Sequence, residues 1–453
     1  MRSGPGFSLQ QTGAGRAGAI DARERRETRC LTGRSCTGLK RLTHAWLDAQ
    51  AAPATAQRFS LVRGAVASEL QLETRPIAVY RGEFWTSRQR QAARIHEISY
   101  RACFKPQLPA YFIDRLSEPG DVVYDPFSGR GTTTIEAALR GRRVIDNDIN
   151  PLSAILTRPR LEAPALDAIK ARLAEIPLHA NRGALPDLSM FYQRDTLREI
   201  TALRNYLRRR RSSGSEDAVD HWIRMVATNR LTGHSPGFFS VYTLPPNQAA
   251  SADNQIKINR KLKQQPEYRD TRAIVLKKSR QLQRNLGADE RARLHSAAAS
   301  ARFLTKPADK TKDIPAGSVQ LTVTSPPFLD VVQYASDNWL RCWFNALDAD
   351  GIAKHITMSK TITAWSATMA RVFVELYRVT RRGGWVAFEV GEVRKGKIRL
   401  EEHVVPLGIA AGFTCEAVLI NEQRFTKTAN IWGVDNNQLG TNTNRIVVFH
   451  KPR

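Results

Sequence analysis

Short apolar runs punctuated by glycine and proline alternate with helical periodicity in two stretches of the chain, and a polar, helix-patterned segment separates them. In the first stretch Arg90 to Ile98 reads as the start of a helix. Leu108 to Leu116 reads as another, entered by Pro106 and Pro109 and closed by Glu118-Pro119-Gly120. Asp121-Val122-Val123-Tyr124-Asp125 is a short buried strand. It runs into Pro126-Phe127-Ser128-Gly129-Arg130-Gly131, then a helix from Thr132 to Leu139 stopped by Gly141, then a strand Arg143 to Asp146 ending near Asp148. Strand, glycine turn, helix and strand with a terminal acid make a βαβ unit. The second stretch opens with the strand Val319 to Val323 and the turn Thr324-Ser325-Pro326-Pro327-Phe328. A helix over Ala367 to Val379 follows, then Gly383-Gly384 turning into the strand Trp385 to Val390. A helix from His403 to Ala411 and strand-like runs Cys415 to Ile420 and Arg445 to His450 complete the chain. Between the two stretches lie helices at Leu166 to Ile176, Leu197 to Arg210 and Asp217 to Asn229. The expected fold class is α/β, a doubly wound sheet with a helical, basic insert. The divisions are a disordered leader 1–75, a first half-domain 84–160, the insert 161–304 and a second half-domain 305–453.

Charge narrows the partners. The 453 residues carry a formal net charge of +26, which favours a polyanion. The insert holds Arg208-Arg209-Arg210-Arg211 and a longer basic stretch from Lys257 to Arg284. A charge run is ordinarily a solvated helix face. Two runs in one segment make the insert the candidate for gripping nucleic-acid phosphates. No apolar run approaches the roughly 20 residues that span a bilayer, and Met1 to Gly15 lacks the apolar core of a secretory signal. The five cysteines include no CxxC pair, so no metal site is expected; their scatter suggests reduced thiols and a cytoplasmic protein.

The βαβ unit points to a nucleotide-like cofactor. Glycines let a ligand approach the backbone, the helix N-terminus offers free N–H groups, and an acid at the end of the second strand suits ribose hydroxyls. No lysine precedes Thr132, so the loop is not a P-loop, and Thr134 stands where G-x-G-x-x-G needs its third glycine.

Asp125-Pro126-Phe127-Ser128-Gly129-Arg130-Gly131-Thr132-Thr133 resembles the cofactor motif DPFxGxGTT of the amino-directed (cytosine-N4 / adenine-N6) S-adenosylmethionine-dependent DNA methyltransferases. Asp148-Ile149-Asn150-Pro151 resembles the acidic motif that follows it, and Phe104 to Pro109 loosely resembles the family's additional cofactor motif. The resemblance implies a Rossmann-like methyltransferase sheet and S-adenosyl-L-methionine as cofactor. Phe127, Gly129 and Gly131 would line its methionine part, with Asp125 counted in the same set. Asp148 would bind the ribose. Asp309 is the candidate acid near the adenine, with Asp313 a close competitor.

Thr324-Ser325-Pro326-Pro327-Phe328 matches the S/T-S-P-P-Y/F catalytic motif of the same family. Its chemistry is legible without the match. Two prolines remove two N–H donors and leave neighbouring carbonyls free to accept, Ser325 adds an acceptor, and Phe328 offers a stacking face. A base amino group is a poor nucleophile until acceptors on its hydrogens aim its lone pair, so positioning does most of the work. Ser325, Pro326, Pro327 and Phe328 are the expected catalytic residues. Carbon-5 cytosine chemistry needs a Pro-Cys nucleophile, and no cysteine here follows a proline. The resemblance implies DNA as substrate, with serine before Pro-Pro favouring cytosine N4 over adenine N6, and allows a companion restriction endonuclease. Relatives acting on RNA guanine amino groups tend to carry an acidic residue or Asn at that position. One departure is the order: many serine-type enzymes place the catalytic motif first, whereas here the cofactor loop precedes it.

Overall fold

The computed structural model describes residues 66–70, 76–85, 92–101, 103–178, 186–244, 249–327, 334–356, 359, 361–393, 398–422 and 443–453. Its strands are β1 (Val66–Leu70), β2 (Ile77–Gly82), β3 (Val122–Asp125), β4 (Arg143–Asn147), β5 (Arg302–Leu304), β6 (Val319–Thr324), β7 (Thr380–Val390), β8 (Glu392–Val393), β9 (Ile398–Arg399), β10 (Thr414–Glu422) and β11 (Thr443–His450). Nine of them form one sheet in the order β1-β2-β10-β11-β7-β6-β3-β4-β5, and β8 and β9 make a separate antiparallel pair. β5, β4, β3, β6 and β7 run parallel; β11 is antiparallel to β7 and to β10.

Helices cover the sheet. α1 (Gln107–Leu116) and α2 (Thr132–Leu139) pack together, α1 also on β6 and α2 also on β3 and β4, and α3 (Leu152–Leu161) follows β4. The insert supplies α4 (Leu166–Glu175), α5 (Arg194–Ser212), α6 (Ala218–Thr228), α7 (Ala252–Leu262), α8 (Thr271–Gln283) and α9 (Ala288–Ser300). After β6 come α10 (Tyr334–Asn345), α11 (Ala349–His355) and α12 (Ile362–Val379), and α13 (Leu400–Ala410) lies between β9 and β10. The apolar stripe of α12, Trp365, Met369, Val372, Phe373, Leu376 and Val379, recurs at helical spacing and is buried with Val386 and Phe388 of β7 and Val447 and Phe449 of β11. Phe373 meets the rings of Phe388 and Phe449 at 4.8 and 5.2 Å. Each fully buried side chain of this size contributes about 1.5–3 kcal/mol, so this face anchors α12 firmly under the end of β6.

The expected α/β class with a helical insert is the observed one. Three local expectations change. Arg94–His96 forms a single 3-10 turn, because the chain then extends through Ile98 to Tyr100 along the 126–131 loop, where Arg130 donates to the Ile98 carbonyl. β7 begins at Thr380, so Gly383-Gly384 lies within the strand. A side chain at Gly384 would collide with Thr380 and the Arg381 carbonyl, and the pairing with β6 shifts register there. Val66–Leu70, inside the segment expected to be a disordered leader, forms β1 and pairs antiparallel with β2; 1–65 and 71–75 lie outside the described residues.

Within the insert, Arg210 is bound to Asp217 and Asp220, which also hold Arg172. One cation of the arginine run is therefore structural. No helix among the described residues is long and apolar enough to cross a membrane, and none of their His, Cys, Asp and Glu side chains cluster as metal ligands.

Candidate cofactor and catalytic site

β4 and β5 lie on one side of β3, and β6 and β7 on the other. Chain order reverses between β3 and β6, which opens a crevice at the carboxyl ends of the strands. The 126–131 loop closes one wall of it. Gly129 and Gly131 have φ of 56° and 74°, where side chains are strained. Gly131 also packs on Thr157 of α3 so closely that a Cβ has no room. It therefore shapes the loop and does not line the cleft. Gly129 N–H donates to Asp148 Oδ2 at 2.8 Å, Asn150 N–H to Asp148 Oδ1 at 2.8 Å, and Ser128 N–H to the Asn147 carbonyl at 3.0 Å. These bonds sew the glycine loop to the end of β4.

A cleft is lined by Phe127, Gly129, Asp148, Asp309 and the Ser325-Pro326-Pro327 turn. Residues from both halves of the sequence thus meet in one place. Asp148 is partly exposed there, and burial of its carboxyl pushes its pKa up to about 6 against the two N–H donors. A carboxylate has about four lone-pair positions, so two remain for a ligand. Asp309 lines the cleft while pairing with Arg371 at 3.0 Å. Its competitor Asp313 is exposed and paired with Lys306.

Asp125 takes a different place from the expected one. It is 1% exposed behind the loop, accepting from Thr324 Oγ1 at 2.6 Å and Phe127 N–H at 3.1 Å. It ties the 126–131 loop to the end of β6 before the Ser325-Pro326-Pro327 turn and does not line the cleft. Burial pushes its carboxyl up to about 7. A raised carboxyl favours the folded state when protonated, so its contribution is lost as pH rises from the ordinary 3.8 through about 7. Asp125→Asn is expected to flatten that loss, by on the order of 1–2 kcal/mol, seen as a melting temperature that declines less between acidic and mildly alkaline pH than the wild type's.

The Ser325-Pro326-Pro327 turn is held from two sides. Trp365 Nε1–H donates to the Pro327 carbonyl at 2.9 Å. That oxygen is one of those the prolines were expected to leave free, and it already has a partner. Ser325 donates its hydroxyl to Glu389, which also accepts from Asn444 Nδ2 at 3.0 Å. Glu389 is buried, and desolvation raises its carboxyl above the usual range. Sequence reasoning missed it, although it is the acid within an otherwise apolar strand, Trp385-Val386-Ala387-Phe388-Glu389-Val390. Phe328 lies outside the described residues.

Strand order and helix layers together define a Rossmann-like, doubly wound α/β fold with a cleft at the carboxyl ends of its parallel strands. Residues 43–154, which contain the cofactor motif and the acid after β4, match the DNA methylase family model, and the chain resembles the amino-directed DNA methyltransferases. It is 31% identical over 91 residues to the Type II methyltransferase M.MjaII of Methanocaldococcus jannaschii, covering 20% of this chain and 17% of that protein, so it spans about a sixth of that relative. Among solved structures, a candidate DNA modification methylase of Thermus thermophilus, complexed with S-adenosyl-L-methionine, is 19% identical over 32% of this chain and 54% of that one, with a TM-score of 0.21. A SAM-dependent methyltransferase of Methanosarcina mazei is 10% identical over 75% of this chain and 97% of that one, with a TM-score of 0.30. The fold assignment rests on the strand order itself.

Proposed function

We propose that this chain transfers a methyl group from S-adenosyl-L-methionine to an exocyclic amino group of a DNA base, N4 of cytosine. The observation that carries the reading is the convergence, in one cleft, of a glycine loop, an acid at the end of β4 and a Ser-Pro-Pro turn. The residues fit the cofactor. The loop gives backbone access at Gly129, Asp148 keeps acceptor capacity for ribose hydroxyls, and Phe127 and Asp309 offer an apolar wall and a second acceptor. When bound, the cofactor supplies a methyl on a positively charged sulfur.

This chain's residues handle the amino group. Ser325 donates its hydroxyl hydrogen to Glu389, which leaves its oxygen lone pairs to accept from the amino N–H and orient the nitrogen lone pair. As the nitrogen gains a carbon it must lose a proton. Ser325 accepts that proton and passes its own to Glu389, whose raised carboxyl is a competent acceptor. A base within a duplex has to be flipped out to reach such a cleft. The serine before Pro326-Pro327 supports cytosine N4, by family resemblance at Thr324 to Phe328.

Mass spectrometry of nucleosides from DNA treated with purified protein and labelled cofactor is expected to find label in N4-methylcytosine. Label in N6-methyladenine alone removes the cytosine assignment and leaves the amino transfer standing. Label only in RNA or in carbon-5 methylcytosine removes the substrate or the chemistry.

A further inference from the structure

We propose that α7 and the residues flanking it form the surface on which the DNA backbone docks, an inference that rests on the DNA reading above and assigns it a place. α7 buries a single side chain, Gln255. Its isoleucines, Ile256 and Ile258, are only half-buried, and short isolated helices are marginal in water. Polar fasteners secure it instead. Gln255 and Gln264 both donate to the Tyr242 carbonyl, at 3.0 and 2.8 Å, and both donate to Asn259 Oδ1; Asn259 in turn donates to the Met190 carbonyl at 2.7 Å. The other face is turned outward and cationic.

Lys257, Arg260 and Lys261 share that face at i, i+3 and i+4, and Lys263 follows with a left-handed backbone, φ 50°. All four are exposed, and among the described residues none has an ion-pair partner. From Lys257 to Lys261 the helix rises about 6 Å, close to the roughly 7 Å of axis that three successive phosphates of one strand occupy. A groove between this helix and residues 187–190 is bordered by Arg260, Lys263 and Gln264. Three of the four exposed large hydrophobic side chains among the described residues, Tyr242, Leu262 and Tyr268, fall in the same segment. Cations interleaved with aromatic and apolar groups suit a nucleic acid better than a merely solvated face.

Position favours this surface over the arginine run. Ala249 N–H donates to the Asp337 carbonyl at 3.1 Å, and Trp339 Nε1–H donates to the Ala250 carbonyl at 3.1 Å. Asp337 pairs with Arg101, which lines the catalytic cleft. α7 therefore starts beside the cleft wall, on the helix that follows the Ser-Pro-Pro turn. Arg208 to Arg211 instead close the last turn of α5, where Arg210 is held by Asp217 and Asp220 and where cations complement the helix dipole.

The test is the salt dependence of binding of the full chain to a labelled DNA duplex, measured by fluorescence anisotropy. The variants are K257Q/R260Q/K261Q/K263Q and, for comparison, R208Q/R209Q/R211Q. Glutamine keeps helix propensity, and unchanged cofactor affinity by titration verifies that the variants are folded. The α7 variant is expected to flatten the slope of log affinity against log salt by about 3.6, one phosphate per cation, and the α5 variant to flatten it less. A wild-type chain that binds DNA with a slope the α7 variant retains overturns the surface and leaves the methyltransferase reading intact. A wild-type chain that binds cofactor but no DNA, or only RNA of the same sequence, overturns both.

Discussion

Glu389→Gln is expected to lower kcat by roughly 10²- to 10⁴-fold, the usual worth of a positioned proton acceptor, while cofactor affinity stays within experimental error. The glutamine can still accept from Ser325 and hold its hydroxyl, but it cannot take a proton. The pH profile separates this from a structural defect. The working form of Glu389 is the carboxylate, and burial raises its pKa, so the wild-type rate falls as pH drops through that raised value. The variant should lose this acid limb. Stability moves the opposite way. A buried carboxyl with a raised pKa costs stability as pH climbs above its unfolded value, so the neutral glutamine should melt no lower than the wild type at mildly alkaline pH. A variant that keeps both its rate and its acid limb would remove Glu389 from proton transfer. A variant that melts early and loses cofactor would make it a structural residue.

Asp148→Ala should weaken S-adenosylmethionine binding by roughly 1.5–3 kcal/mol, about 10- to 150-fold, through loss of a charged acceptor for the ribose hydroxyls. The same carboxylate restrains Gly129 N–H and Asn150 N–H, so the alanine also loosens the loop beside the ligand. Asp148→Asn keeps an acceptor without the charge and should fall between the two. Hydroxyl donors favour the ionised carboxyl, so wild-type affinity should rise with pH through about 6 and level off above it. Isothermal titration across pH reads all three effects. Affinity unchanged in the alanine variant would place the ribose elsewhere.

Asp125 illustrates what a motif says and what it leaves open. The string from Asp125 to Thr133 suggests a cofactor loop through its resemblance to the DPFxGxGTT motif, since strand, glycine turn and helix alone point only to a nucleotide-like ligand. Whether a given member of the string touches the ligand depends on where its side chain is aimed. Asp125 points behind the loop to Thr324, a partner 199 positions away. Gly131 serves packing against Thr157, and Gly129 alone of the two glycines lines the cleft. Likewise, charge density marked Arg208 to Arg211 alongside the stretch from Lys257 to Arg284, but Arg210 turned out to neutralise buried Asp220.

Local patterning by itself determined the elements of the parallel half: β3, α2, β4 and β6 fall within a residue or so of where apolar runs and glycine or proline stops put them. Each is short-range in cause, since burial period, caps and turn residues act over one or two turns. The proposed chemistry rests on the resemblance of two contiguous strings, 125–133 and 324–328, to the amino-directed DNA methyltransferases. What only the tertiary structure decided are the pairings across long separations. Strand order brought Ser325 and Asp148 to one cleft, register placed Glu389 next to Ser325, and α12 carried Trp365 to the Pro327 carbonyl. A lone acid in an apolar strand, or an amphipathic helix, has no local feature that names its partner. That choice is made when the whole sheet closes and each buried polar group must find the one acceptor or donor within reach.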